Sequence, residues 1–158
     1  MGGGDSRLVD HLIARGLRCL TVLDVSRAAL GRAQARLGAQ AEGVRWIEAD
    51  VTDAWTVPSV DVWHDRAVFH FLTEAEDRAR YMTHLRATVK PGGTVIIAAF
   101  ALDGPERCSG LPVYRYDAAG LSAQLEAGFV LVETVADAHR TPSGSVQSFN
   151  YNRFVREP

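Results

Sequence analysis

Apolar positions change period repeatedly along this chain. Short runs of Val, Ile and Leu alternate with stretches where apolar residues recur every three or four positions, from the first residues to about Ala136. That alternation predicts βαβ units and a mostly parallel sheet. Leu8, Val9, Leu12 and Ile13 share a helical face, with Asp5 or Ser6 as cap and Gly16 as stop. A first strand is expected from Arg18 to Val25. Ser26 then caps a helix whose Leu30, Ala33 and Leu37 recur at helical spacing before Gly38 ends it. Val44 to Val51 and Val60 to Val68 read as the second and third strands. Thr73 with Glu76 has the form of a capping box for a helix bearing Met82, Leu85 and Val89, which Lys90-Pro91-Gly92-Gly93 is expected to end. Thr94 to Ala101 is the most apolar strand, as burial on both faces requires. After a loop rich in Gly and Pro, Asp103 to Pro112, Asp117 caps a last helix that carries Leu121 and Leu125 and stops at Gly128. Phe129 to Val135 and Val146 to Val155 read as an antiparallel pair joined by the linker His139 to Gly144.

Composition narrows the setting. With 158 residues, 47% of them hydrophobic, and a formal charge of −2, one domain spanning 1–158 is expected. Charges of both signs are interspersed, without the basic stripe that neutralises phosphates, so nucleic acid is not expected as a partner. Cys19 and Cys108 lie in unrelated contexts with no ligand spacing around either, which predicts neither a disulfide framework nor a metal site. No run approaches the ~20 apolar residues of a membrane span, and no signal peptide is visible. A cytoplasmic protein is expected.

Candidate chemistry begins at Gly2-Gly3-Gly4-Asp5-Ser6, which leads straight into the first helix. Glycines there let backbone N–H groups and a helix N-terminus approach a ligand closely. Asp24 ends the next strand, about 20 residues on, where a carboxylate can accept two hydrogen bonds from a ribose diol. Val25 and Ser26 continue that turn. Asp50 ends the following strand, where an acceptor can take the exocyclic amine of an adenine ring while Val51 packs on its face. In an open parallel sheet such groups converge at the carboxyl ends of the strands.

These residues resemble the class I S-adenosylmethionine-dependent methyltransferases. The Asp-x-Ser-x-x-x-Leu pattern of Asp24, Ser26 and Leu30 and the Lys-Pro-Gly-Gly turn before Thr94 belong to the same likeness. The segments Trp63 to Leu72 and Gly104 to Pro112 are similar to a bacterial subgroup of small methyltransferases. The resemblance implies a three-layer, Rossmann-like α/β fold, mostly parallel with an antiparallel C-terminal hairpin. It implies S-adenosylmethionine as cofactor, held by Gly2, Gly3, Gly4, Asp24, Val25, Ser26, Asp50, Val51 and His64. In the family the glycine loop follows a central strand ending in an acidic residue, and here only Met1 precedes the loop. The first central strand is therefore expected to be missing, through truncation above all, the alternatives being that the flanking strands close up or that a second copy in a homodimer lends a strand. Weak cofactor binding by the chain alone is expected for the same reason.

Methyl transfer from a sulfonium depends chiefly on alignment, so a base is optional. His64, Asp65 and His70 are the catalytic candidates, since a strand-end position in this fold faces the site and an imidazole can deprotonate an acceptor. Packing between Phe69 and Phe71 is the other reading of His70. Arg107 and Cys108 in the long loop, and His139, Arg140, Gln147 and Tyr151 in the last hairpin, are the candidate contacts to a small-molecule or protein acceptor. The Asn/Asp-Pro-Pro-aromatic signature of many nucleic-acid methyltransferases is absent, with His64-Asp65-Arg66-Ala67 in its place, which disfavours DNA bases. A nicotinamide-dependent oxidoreductase fragment is the enzymatic alternative, but Arg7 stands at its third glycine position. An inactive domain acting as a binding subunit is the non-enzymatic one.

Overall fold

The computed structural model describes residues 1–125, 127–141 and 144–158. These form two compact units, Met1–Trp55 and Thr56–Pro158.

The first unit contains helix α1 (Leu8–Ala14), strand β1 (Leu20–Asp24), helix α2 (Arg27–Leu37), a 3-10 turn over Gly38–Gly43 and strand β2 (Val44–Glu48). β1 and β2 pair in parallel, Leu20 opposite Val44 through Asp24 opposite Glu48. Helical spacing puts Leu30 and Leu37 of α2 in one cluster with Val9, Val22 and Val44, and Ile13, Leu20, Ala41 and Trp46 pack around it. Each large side chain buried there gains about 1.5–3 kcal/mol by leaving water. The Ser26 hydroxyl accepts from Ala29 N at 3.2 Å and caps α2 as expected, and Gly38 ends that helix at φ +56°. At α1 the cap position falls to Arg7, while Ser6 Oγ takes the N–H of Leu8 at 3.1 Å.

The second unit runs through β3 (Val60–Arg66), a 3-10 turn over Phe69–Phe71, α3 (Ala75–Thr88), β4 (Val89–Phe100), a two-residue pair β5 (Arg107–Cys108) and β6 (Leu111–Pro112), α4 (Ala118–Leu125), β7 (Phe129–Arg140) and β8 (Val146–Arg156). Its main sheet has the order β3-β4-β8-β7. β3 and β4 are parallel, and β8 runs antiparallel to both β4 and β7. Together the strands make the expected α/β fold with an antiparallel C-terminal hairpin. Among the described residues β1 pairs only with β2 and β3 only with β4, so no central strand is present beside them. On one face of the second unit's sheet Trp63 and Asp65 align with Val95 and Ile97 and then with Phe154 and Asn152, all buried. Tyr81 and Leu85 of α3 are buried as well, and Tyr81 bonds and packs against Trp63. The opposite face carries His64 and Arg66, followed by Ile96 and Ala98, then Arg153 and Tyr151.

Three local expectations are corrected. The Thr73–Glu76 capping box does not form: α3 starts a residue later, from Glu74, with no side-chain cap. Arg78 instead reaches the carbonyls of Leu72 and Thr73 at 2.8 Å and fastens the segment before the helix. Lys90-Pro91-Gly92-Gly93 is not what ends α3, which passes into β4 at Val89. The four residues bulge out of the ladder between Val89, opposite Val60, and Thr94, opposite Val62, with Gly92 at φ +75°. β7 extends to Arg140, five residues past the expected end at Val135. Of the linker and helix end read from sequence, Pro142, Ser143 and Glu126 lie outside the described residues.

Candidate functional site

In the first unit, three hydrogen bonds fix the glycine loop. Gly3 N donates to Leu23 O at 3.2 Å, Ser6 N to Gly3 O at 2.9 Å, and Gly4 N to Asp24 Oδ2 at 2.9 Å. The loop lies so close to β1 that a Cβ on Gly3 would stand 2.5 Å from Val22 Cγ1, and one on Gly4 would stand 2.8 Å from Asp24 Oδ2. Only glycine permits that approach. α2 secures the far side through Arg32 on Asp5 and Arg36 on Asp10, and Arg36 also donates to Ser6 O at 3.0 Å. Arg32 holds the Asp5 carboxyl below its ordinary pKa, and Arg36 does the same for Asp10. Neither arginine was foreseen from sequence, although their i, i+4 spacing on α2 is the available signal.

Asp24 is half-buried and accepts one backbone N–H on each oxygen, Gly4 N on Oδ2 and Ser26 N on Oδ1 at 2.8 Å. A carboxylate offers about four acceptor positions, so roughly half remain for a diol. Val25 beside it is 69% exposed. At the end of β2, Asp50 is exposed, and Thr52 places both its N–H and its hydroxyl on Oδ1, at 2.8 and 2.7 Å. Oδ2 accepts nothing among the described residues. Val51 is buried, which leaves little of its side chain for a ring to pack on.

In the second unit, the chain leaves β3 through Ala67, which adopts a left-handed φ of +62° and donates to Ala98 O at 2.9 Å. Asp65 supports this bend. It is fully buried and accepts from Val68 N at 3.0 Å, Phe69 N at 3.2 Å and the Tyr81 hydroxyl at 2.7 Å. Burial pushes its pKa up, and burial together with the Asp65 carboxyl pushes that of Tyr81 well above its ordinary value. Asp65 therefore braces the turn, and its placement among catalytic groups is corrected: the carboxylate is enclosed and occupied by the chain's own donors.

His70 is also enclosed, against Phe71, Phe100 and Phe149, and neither ring nitrogen has a partner among the described residues. Burial lowers its pKa to about 4, so the ring is neutral near pH 7. The packed reading of this histidine is the one that the structure supports, and its expected role as a base is corrected accordingly. His64, two residues before Arg66, is half-buried on the open face and is likewise pushed down to about 4 by burial.

Several acceptor candidates gather on that face around Phe149. Tyr151 and Cys108 pack with Ala98, Phe100 and Phe149, and the His139 ring meets Phe149 edge-on at 6.2 Å. Arg66, not foreseen from sequence, joins them by donating to Tyr151 Oη at 2.7 Å across 85 positions of the chain. Arg107, exposed, turns back on Gly110 O within its own hairpin. Gln147 and Arg140 lie farther along the β7–β8 ladder, opposite His139 and Val146.

A sequence model described as a methyltransferase domain matches residues 1–95, more than half of the chain. The chain belongs to the methyltransferase-domain family. Solved methyltransferases share its fold. One is the 1,6-didemethyltoxoflavin-N1-methyltransferase of Burkholderia thailandensis, with a TM-score of 0.77 at 20% identity over 99% of this chain and 69% of that one. Another, an S-adenosylmethionine-dependent methyltransferase of Clostridium acetobutylicum, has a TM-score of 0.77 at 11% identity over 99% of this chain and 82% of its own. A third, the N-methyltransferase NodS of Bradyrhizobium japonicum, has a TM-score of 0.69 at 19% identity over 88% and 74%. At these identities the likeness is one of fold, that of the class I methyltransferases. No curated protein matches in sequence. In this methyltransferase domain no described helix is long and apolar enough to cross a membrane, and no cluster of metal-ligating side chains occurs among the described residues.

Proposed function

We propose that the protein transfers a methyl group from S-adenosylmethionine to a small-molecule acceptor, and that both compact units belong to one methyltransferase domain. The family match supports the single domain, because it runs from residue 1 to 95, across the boundary at Trp55. Asp24 carries the cofactor reading. It is a half-buried carboxylate tied to the glycine loop at 2.9 Å, with acceptor positions left over for a ribose diol. Asp50 Oδ2 is the second open acceptor, suited to an adenine amine. The glycine loop supplies the close backbone approach.

When bound, the cofactor supplies a methyl group on a sulfonium, which leaves readily. The chain's residues then have to orient rather than activate. Asp24 and the loop are the groups suited to hold the cofactor. His64 is half-buried and neutral near pH 7, so its ring can accept a hydrogen bond from the N–H or O–H of an acceptor and orient it. The deciding experiment is calorimetric titration with S-adenosylhomocysteine and with NADH. Saturable heat with the first and none with the second is expected. A response to NADH alone would overturn the reading.

A further inference from the structure

The arginines of the second unit spend their donors in different ways. Arg78 reaches two backbone carbonyls, while Arg115 pairs with Glu106 and Arg153 with Glu133. Arg66 is half-buried and meets no carboxylate among the described residues. Its Nε donates to the neutral Tyr151 hydroxyl, and its guanidinium carbon lies 4.7 Å from the centroid of Phe149. A guanidinium has five N–H donors, and among the described residues one of Arg66's is engaged. Partial removal of a cation from water without a counter-charge is unfavourable. Here the plane is nonetheless held in place, by the aromatic ring on its face and by the hydroxyl on its edge.

Four N–H groups on Nη1 and Nη2 thus remain as a planar fork without a hydrogen-bond partner among the described residues, on the sheet face that carries Tyr151. Such a fork matches a planar anion in two parallel bonds. The surroundings favour a single negative charge. Arg153, the other cation on this face near Tyr151, is already paired with Glu133, and Asp137 lies opposite Phe149 in the ladder. A doubly charged phosphate would meet the Arg66 guanidinium together with the Glu133 and Asp137 carboxylates of β7.

We propose that Arg66 is the residue that recognises the acceptor, and that the acceptor carries a carboxylate bound by the Arg66 Nη groups while Phe149 and Tyr151 hold the guanidinium plane. Only the word acceptor rests on the methyl-transfer reading, since carboxylate binding is measurable without the cofactor. The test follows the Arg66 Nε–H resonance by nuclear magnetic resonance as the full chain is titrated with benzoate, with its neutral isostere benzamide and with inorganic phosphate. Benzoate should shift the resonance saturably, and both other probes should bind about tenfold more weakly or worse. A second titration follows the backbone amides around Tyr151 in two variants. Arg66→Gln should abolish the benzoate response there, and Arg66→Lys, which keeps the charge but loses the fork, should weaken it. If Arg66→Gln fails to fold, by circular dichroism, Arg66→Lys decides. Benzamide or phosphate binding as tightly as benzoate, or a lysine variant that matches the parent, would overturn the proposal. A parallel titration with S-adenosylhomocysteine separates the two claims: cofactor binding without a benzoate response sinks this inference alone, and the reverse sinks the methyl-transfer reading alone.

Discussion

Asp24 and Asp65 occupy matching places in the two units. Each lies at or next to the carboxyl end of a parallel strand, and each accepts two backbone N–H groups. They differ in what remains. Asp65 lies on the face that also buries Tyr81, takes a third bond from that hydroxyl and has no exposed surface. Asp24 is half-buried and takes no third bond among the described residues. Strand-end position and residue type are the same, so neither distinguishes a brace from a ligand contact. Unused acceptor capacity that solvent can reach does.

The strongest way to break this comparison is Asp65→Ala. Three donors lose their acceptor in a closed environment, which should cost about 3–5 kcal/mol of folding stability, read from the urea midpoint. A loss below about 1 kcal/mol would show that Asp65 is not the brace described. The next effect comes from pH. The unfolded chain protonates His70 near 6.5, whereas the folded chain resists until about 4. A lowered folded pKa in a base makes the unfolded state bind more protons, so stability is full above about pH 6.5 and declines toward pH 4, by about 3 kcal/mol at most for this ring. His64 adds to the same decline. Denaturation midpoints at pH 7.5 and 5 should therefore differ in the parent and differ less in His70→Phe.

Asp24→Ala sharpens the other side of the comparison. Affinity for S-adenosylhomocysteine should fall about 10- to 100-fold, or ~1.4–2.7 kcal/mol, while the urea midpoint moves less than for Asp65→Ala. Equal stability losses in the two variants would erase the distinction. The smallest effect expected is that of Ser26→Ala, which removes the α2 cap next to Asp24 and should cost about 1 kcal/mol of stability. A larger fall in cofactor affinity than in stability would mean that the cap also positions the Asp24 turn.

Much of the first unit was legible in the residues. Ser26, the Leu30–Ala33–Leu37 face and Gly38 specify α2 locally, and local rules govern a helix with its own cap and stop. The glycine loop and Asp24 were legible for the same reason. What sequence could not show depends on partners far away in the chain. β7 extends into Ala136–Arg140 because β8 offers it a ladder, and those largely exposed residues, with no β-branched side chain among them, do not read as strand by themselves. The capping box at Thr73 and Glu76 matched its motif, yet Arg78 fastens the segment before the helix. Asp65 and His70 had the composition of catalytic groups and are packed inside. Arg66 looked like an ordinary polar strand end until the sheet register set it opposite Ala98 and Ala98 opposite Tyr151.

The strand order of the second unit also bears on how it is made. β8 follows β7 in the chain but lies inside it, between β4 and β7. Without β8, β7 has no strand beside it and β4 keeps one edge unpaired. The residues of β8 that fill that gap also bring Phe149 and Tyr151 to Arg66. Closing the sheet and fixing the Arg66 guanidinium are therefore one structural event, so a change that loosens β8 should free Arg66 as well.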